Sequence, residues 1–160
     1  NKNIEDEMNI IINSISAIRN IKASLNIPPS KTINLYVRGP EKETQLIEKN
    51  IILLNRLAKI DSIQTGINIK KPNQSATAIM KNIELFVPLK GLIDLKQEIA
   101  RLEKQIEDMN GRLNAINKKL NNQNFIDRAP KDVVAHEKNK KADYEQQLNK
   151  IQDNLQSLKD

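Results

Sequence analysis

Between residues 112 and 141 the chain carries Arg112, Lys118, Lys119, Arg128, Lys131, Lys138, Lys140 and Lys141 against Asp127, Asp132 and Glu137, a local net charge of +5. Ammonium and guanidinium groups in this number suit one kind of chemistry: neutralising the phosphates of a polyanion and releasing its counterions. The flanking segments carry the opposite sign. Residues 92–111 hold three basic and five acidic side chains, and residues 142–160 hold two and four, so each segment is −2. Solvated helical surfaces are usually charged with both signs mixed; here the signs are segregated along the chain. The whole chain is +6, a modest excess whose placement says more than its sum.

Covalent chemistry finds no footing. There is no Cys, and the single histidine, His136, rules out a multi-histidine metal site. Four glycines are scattered without a phosphate-cradling loop, and no serine has a histidine or cysteine patterned to activate it. The carboxylates lie mostly beside Lys or Arg on polar helix faces. No catalytic residue, no metal ligand and no cofactor is therefore expected in these 160 residues. His136 reads as an exposed spectator, Tyr144 as a seam residue, and Phe125 as tip packing ahead of a base-stacking platform.

The basic cluster must be positioned by a long helical element. Apolar residues fall at Leu92, Leu95, Ile99, Leu102, Ile106, Met109, Leu113, Ile116 and Leu120, alternating steps of four and three after the first. That is a coiled-coil seam held for about four heptads. A second run at Val134, Tyr144, Leu148, Ile151, Leu155 and Leu158 continues the rhythm. The spacing predicts a helix over 92–121, about 45 Å long at 1.5 Å per residue, a connector over 122–129, and a return helix entered at Pro130. Facing seam residues would have numbers summing to about 250 or about 257. Counting the seam back from Tyr144 puts Lys141 and Glu137 on core positions, a flaw near the start of the return helix. With Leu113 and Leu120 at heptad position a, Arg112 and Lys119 are g and Lys118 is f. On the return helix Lys140 is g, while Lys131 and Lys138 are e. Arg112, Lys119 and Lys140 would line one edge, suited to a phosphate backbone and to structured RNA recognised by shape; DNA readout through a major groove is not expected.

The first 91 residues read differently. An amphipathic helix over 3–25 places Ile4, Met8, Ile11, Ile12, Ile15, Ile18 and Leu25 on one face. Pro28-Pro29 ends it. Residues 33–37 alternate like a strand, 41–58 return to helical spacing, and 60–64 form a short strand candidate. Residues 76–80 and 83–87 form a hairpin about Lys81-Asn82, a poor pair for a two-residue turn. The fold class expected is α+β and mostly α: an N-terminal helix (1–26), a small α/β subdomain (27–91) and an antiparallel coiled-coil arm (92–160). An elongated shape fits a chain with 2% aromatic and 29% charged residues. No apolar stretch approaches the 18 residues of a membrane span, and the start lacks the basic-then-apolar pattern of a signal peptide. The first residue is Asn, inside a helical pattern, so a segment of a longer cytoplasmic protein is expected.

Three stretches then carry a resemblance. Ile18-Arg19-Asn20-Ile21-Lys22 followed by Asn26-Ile27-Pro28-Pro29-Ser30-Lys31 is similar to bacterial valyl-tRNA synthetases. So is Val87-Pro88-Leu89-Lys90-Gly91-Leu92-Ile93-Asp94, which resembles that family's entry into its C-terminal arm. The third is Asn124-Phe125, then Ala129-Pro130, Val133-Val134 and Ala142-Asp143-Tyr144. The matches keep the family's order over nearly the whole chain. The resemblance implies that residues 1–26 are the last helix of the anticodon-binding domain, with Arg19, Asn20 and Lys22 on the anticodon side. It implies that the arm lies against the outer corner of tRNA-Val. The family's H-I-G-H and K-M-S-K-S signatures are absent from these residues, so valine activation, ATP use and editing would reside elsewhere in a monomeric parent ligase. Lys141 departs from a position the family usually keeps apolar. Lys81-Asn82 departs from a turn that usually contains glycine, which predicts a longer or irregular hairpin.

The resulting expectation is a tRNA-binding C-terminal region of a class I aminoacyl-tRNA synthetase. Arg112, Lys118, Lys119, Arg128, Lys131, Lys138 and Lys140 would hold the RNA. The rival is a protein-interaction or ribosome-binding coiled-coil hairpin without tRNA specificity. An oligomerising hairpin needs apolar residues outside its seam and a client-binding tip needs an apolar end; both are scarce here.

Overall fold

The computed structural model describes residues 2–160, and their side chains from Ile4 onward. The chain divides into two compact units, one built on the residues up to Leu95 and one on Lys96–Lys159. The class is α+β and mostly α, with a small sheet in the first unit and a helical hairpin in the second.

In the first unit, α1 (Lys2–Ser24) buries Ile11, Ser14, Ile15, Ile18, Ile21 and Lys22, and Leu25 just after it is buried too, while Ile4, Met8 and Ile12 stay exposed. The expected apolar face is thus rotated: the buried stripe passes through Ser14 and Lys22, two polar residues satisfied internally. Ser14 Oγ donates to the Ile10 carbonyl at 2.8 Å. The helix ends in a Schellman motif. Asn26 takes φ 54°, its N–H bonds the Ala23 carbonyl, and the Ile27 N–H returns 2.8 Å to the Lys22 carbonyl. Pro28-Pro29 then prevents further helix.

Four strands follow, β1 (Ile33–Arg38), β2 (Ile60–Gly66), β3 (Ser75–Met80) and β4 (Ile83–Pro88), in spatial order β2-β1-β4-β3. β1 runs parallel to β2 and antiparallel to β4, with Val37 opposite Leu85 and Tyr36 opposite Phe86. Alternation sends Ile33, Leu35 and Val37 of β1, and Ile83, Leu85 and Val87 of β4, to the buried side. Phe86 points the other way and is also buried, with the Arg38 guanidinium 5.1 Å from its ring centroid. The β1–β2 crossover holds two helices where sequence spacing predicts one: α2 (Glu41–Lys49) and α3 (Ile51–Ala58). Asn50 makes the break. Its Nδ2 donates to the Leu46 carbonyl at 2.8 Å, and its N–H turns to the Ile47 carbonyl, one residue nearer than α-helical pairing requires.

The β3–β4 turn corrects another expectation. It is neither long nor irregular: Met80 pairs with Ile83 directly, leaving only Lys81 and Asn82 between the strands. Lys81, at φ 51°, takes the left-handed conformation. A side chain there costs about 1 kcal/mol relative to glycine. Lys81→Gly should accordingly raise the thermal midpoint of the first unit, equivalent to about 0.5–1 kcal/mol, as followed by circular dichroism.

The second unit is a hairpin of α4 (Leu95–Leu120), α5 (Gln123–Arg128) and α6 (Lys131–Lys159). The seam is laid out as the 4/3 spacing requires. Leu102, Met109, Leu113, Ile116 and Leu158 are buried, and Ile99, Ile106, Leu120, Tyr144, Leu148, Ile151 and Leu155 are half-buried. Cross-helix pairs fix the antiparallel register. Lys119 meets Glu137 and Arg112 meets Tyr144, pairs whose numbers sum to 256, so the register lies near 257 and not 250. The connector is more ordered than a loop. Asn122 caps α5 by accepting from the N–H groups of Asn124 at 3.0 Å and Phe125 at 3.4 Å. Phe125 and Ile126 on α5 are half-buried.

Candidate nucleic-acid interface

Helix periodicity distributes the basic residues of the hairpin over its surface. Arg112, Lys118, Lys119, Arg128, Lys131 and Lys138 are exposed, and Lys140 is half-buried. Lys118 and Lys119 close the last turn of α4, and Arg128 that of α5, where a cation also complements the helix dipole. Arg112 and Lys140 converge from opposite helices on one side chain. The Arg112 guanidinium carbon lies 5.9 Å from the centroid of the Tyr144 ring and the Lys140 ammonium lies 5.8 Å from it. Lys119 sits two turns further along α4, 3.4 Å from a Glu137 oxygen. The g-edge grouping of Arg112, Lys119 and Lys140 is therefore present in space. The ring of Tyr144 as the common contact of Arg112 and Lys140 was missed, although the four-residue step from Lys140 to Tyr144 was available in the sequence.

The flaw on the return helix also takes definite form. Glu137 is buried at 8% exposure on the seam. One carboxylate oxygen meets Lys119, while Oε2 is buried without a hydrogen-bond partner among the described residues. Lys141 escapes the seam sideways to Glu145, 3.8 Å away on its own helix. A buried, half-satisfied carboxylate costs more than a well-packed apolar side chain. Lys119 is well exposed and loses little when its partner is removed. Glu137→Leu should therefore stabilise the hairpin by about 1–2 kcal/mol, seen as a higher melting temperature of the helical signal.

In the first unit the three residues that the resemblance groups together are split. Arg19 is exposed but tied down, its Nε and Nη2 donating to the Leu57 carbonyl at 3.1 and 2.8 Å. It borders a cavity of about 590 Å³ with Asn26, Pro28 and Pro29. Asn20 is exposed at a second hollow, beside Asn13 and Asn82. Lys22 corrects the expectation outright. It is 3% exposed, and its Nζ donates to the carbonyls of Lys31 at 2.6 Å, Ala58 at 2.9 Å and Pro29 at 3.3 Å. An ammonium closed in by three backbone carbonyls has no free face for RNA. Burial, and next the charge of Lys59, push its pKa below the usual lysine value.

Among the described residues no group of three His, Cys, Asp or Glu side chains could hold a metal ion, and no helix is long and apolar enough to cross a membrane. The family described as the valyl tRNA synthetase tRNA binding arm matches residues 94–159. The hairpin belongs to the valyl-tRNA synthetase arm family. The matched residues take in the whole of α4, α5 and α6. Similarity to valine–tRNA ligases runs on through the first unit. The chain is 37% identical to the valine–tRNA ligase of Listeria innocua over 155 residues, 96% of its length. It is 34% identical to that of Geobacillus stearothermophilus over 160 residues, 99% of its length. With the Staphylococcus carnosus ligase the figures are 33% and 95%. The chain spans 18% of the length of each of these relatives and corresponds to their C-terminal part. The basic edge described above thus lies on the valyl-tRNA synthetase arm itself.

Proposed function

We propose that this chain is the tRNA-holding C-terminal part of a valine–tRNA ligase, and that its arm grips the outer corner of tRNA-Val through backbone and shape contacts. The observation that carries the reading is the position of the basic edge, on the hairpin that belongs to the tRNA-binding-arm family. Arg112, Lys118, Lys119, Arg128, Lys131, Lys138 and Lys140 supply the phosphate contacts. These fix position and orientation without reading sequence. Holding the body of the tRNA lowers the entropy lost when its acceptor end enters a distant site. Valine activation with ATP, transfer and editing belong to the rest of a monomeric, cytoplasmic parent enzyme. Within the first unit, residues 1–26 are assigned to the end of the anticodon-binding domain. Arg19 and Asn20 stand on its exposed side, Lys22 acting behind them as an internal support.

The test is a titration of the 160-residue chain with tRNA-Val and with a non-cognate tRNA over a range of salt. Binding that falls linearly in log K against log salt, at roughly 0.7–0.9 per phosphate contact, supports the reading. A small preference for tRNA-Val places identity recognition elsewhere in the parent. Absence of binding to either RNA at low salt sinks the reading and leaves a protein-contact or ribosome-binding hairpin.

A further inference from the structure

We propose that Tyr144 is a positioning residue for RNA binding: its ring anchors Arg112 and Lys140, one from each helix, as a preformed two-cation notch for the phosphate backbone. The inference rests on the arm's reading as a tRNA-holding element. Three observations carry it. The guanidinium of Arg112 and the ammonium of Lys140 lie at nearly equal distances, 5.9 and 5.8 Å, from the same ring centroid. The two come from different helices, so the notch exists only when the hairpin is closed in the observed register. Neither cation is ion-paired among the described residues, whereas Lys119, Lys141 and Lys159 are each matched by a carboxylate.

The physical argument follows from charge. Two like charges drawn to one site repel each other, and long flexible side chains would splay apart in water. An aromatic face attracts cations through its quadrupole and counters that tendency. The pair is then held with its positive charge unneutralised, which is the state a phosphate oxygen relieves. Arg112 presents a planar fork and Lys140 a point charge, two complementary ways to meet a phosphate backbone. Asp108 and Gln147 line the shallow hollow beside Arg112 without pairing to it, so the nearby acid moderates the field but does not quench the notch. Tyr144 is half-buried on the seam, which fixes its ring and leaves part of it at the surface.

Two substitutions separate the ring from the packing. Tyr144→Phe keeps the aromatic face, and Tyr144→Leu keeps an apolar seam residue without it. The 160-residue chain and both variants are titrated with tRNA-Val at several salt concentrations, alongside thermal melts. In parallel, inorganic tripolyphosphate is titrated while the Arg112 side-chain N–H and Tyr144 ring resonances are followed by NMR. The expected result is unchanged binding for the Phe variant and about threefold to tenfold weaker binding for the Leu variant, at an equal or higher melting temperature. The loss should vanish in an Arg112→Gln/Lys140→Gln background. Equal affinity of the Leu variant and the parent chain overturns the inference and leaves the arm's function standing. Equal loss in both variants also overturns it, because the hydroxyl and not the ring would then be responsible. If the parent chain binds no tRNA, the functional reading fails. The notch then survives only if tripolyphosphate shifts the Arg112 and Tyr144 resonances in the parent chain but leaves Arg112 unmoved in the Leu variant.

Discussion

Changing Lys118, Lys119 and Lys140 together to Glu should abolish measurable binding of tRNA at physiological salt. Each reversal removes a candidate phosphate contact and adds a repulsion on or beside the basic edge. The log–log salt slope should flatten by about 2–3, and affinity near 0.1 M salt should drop roughly 100-fold or more. The loss should be nearly the same for cognate and non-cognate tRNA, since backbone contacts carry no sequence information. Lys118 and Lys119 are exposed and Lys140 is half-buried, but reversing Lys119 also removes the partner of the buried Glu137, so the loss is read only at temperatures where the triple variant keeps its helical signal. Reversing Lys104, exposed on the acidic stem of α4, provides the control and should leave binding within about twofold. Filter binding or fluorescence anisotropy reads the affinities, and circular dichroism verifies the hairpin. Unchanged binding in the triple variant would mean that the basic edge is merely solvated.

Replacing Lys22 by Met should destabilise the first unit by about 3 kcal/mol, because the carbonyls of Pro29, Lys31 and Ala58 lose their shared donor in a closed site. These carbonyls belong to the loop before β1 and to the last turn of α3, so one amine ties three chain segments together. The pH dependence has a definite sign. The folded-state pKa of Lys22 lies below its unfolded value. Between the two values the unfolded chain binds more protons, so stability contributed by this group rises as pH climbs through that alkaline window. The Met variant should lack that rise. Urea unfolding at pH 7 and across the alkaline range measures both effects. The lone tyrosine of each unit, Tyr36 in the first and Tyr144 in the hairpin, separates their transitions. A Met variant as stable as the parent chain would show that water can replace the amine at all three carbonyls.

Periodicity made the seam legible from sequence, because apolar spacing is a direct image of a helix face. The same logic found the four strands within a residue or two of their ends. What escaped it were features made by single polar side chains. Asn50 splits one expected helix by bonding its own backbone, and Asn122 starts a short helix where a plain connector was expected. That hidden α5 also explains why register was open. A register near 257 sets Glu137 opposite the last turn of α4, so α6 begins more than a turn beyond it, and α5 supplies chain for the overhang. On the interface side, heptad positions brought Arg112, Lys119 and Lys140 to one edge correctly. Lys22 was misplaced because a lysine in a polar-looking motif gives no sign in sequence that its amine turns inward.

The position of Glu137 has a bearing on how the hairpin forms in time. Two helices joined by about ten residues bring their ends together most cheaply at the closed end, so zippering should start next to the turn and run toward the open end. The unsatisfied carboxylate lies within that first stretch, opposite the final turn of α4. It therefore burdens the nucleation step and leaves later propagation along Leu113, Met109 and Leu102 untouched. Removing it should quicken closure of the hairpin much more than it retards opening, the kinetic mark of a defect sited in the folding nucleus.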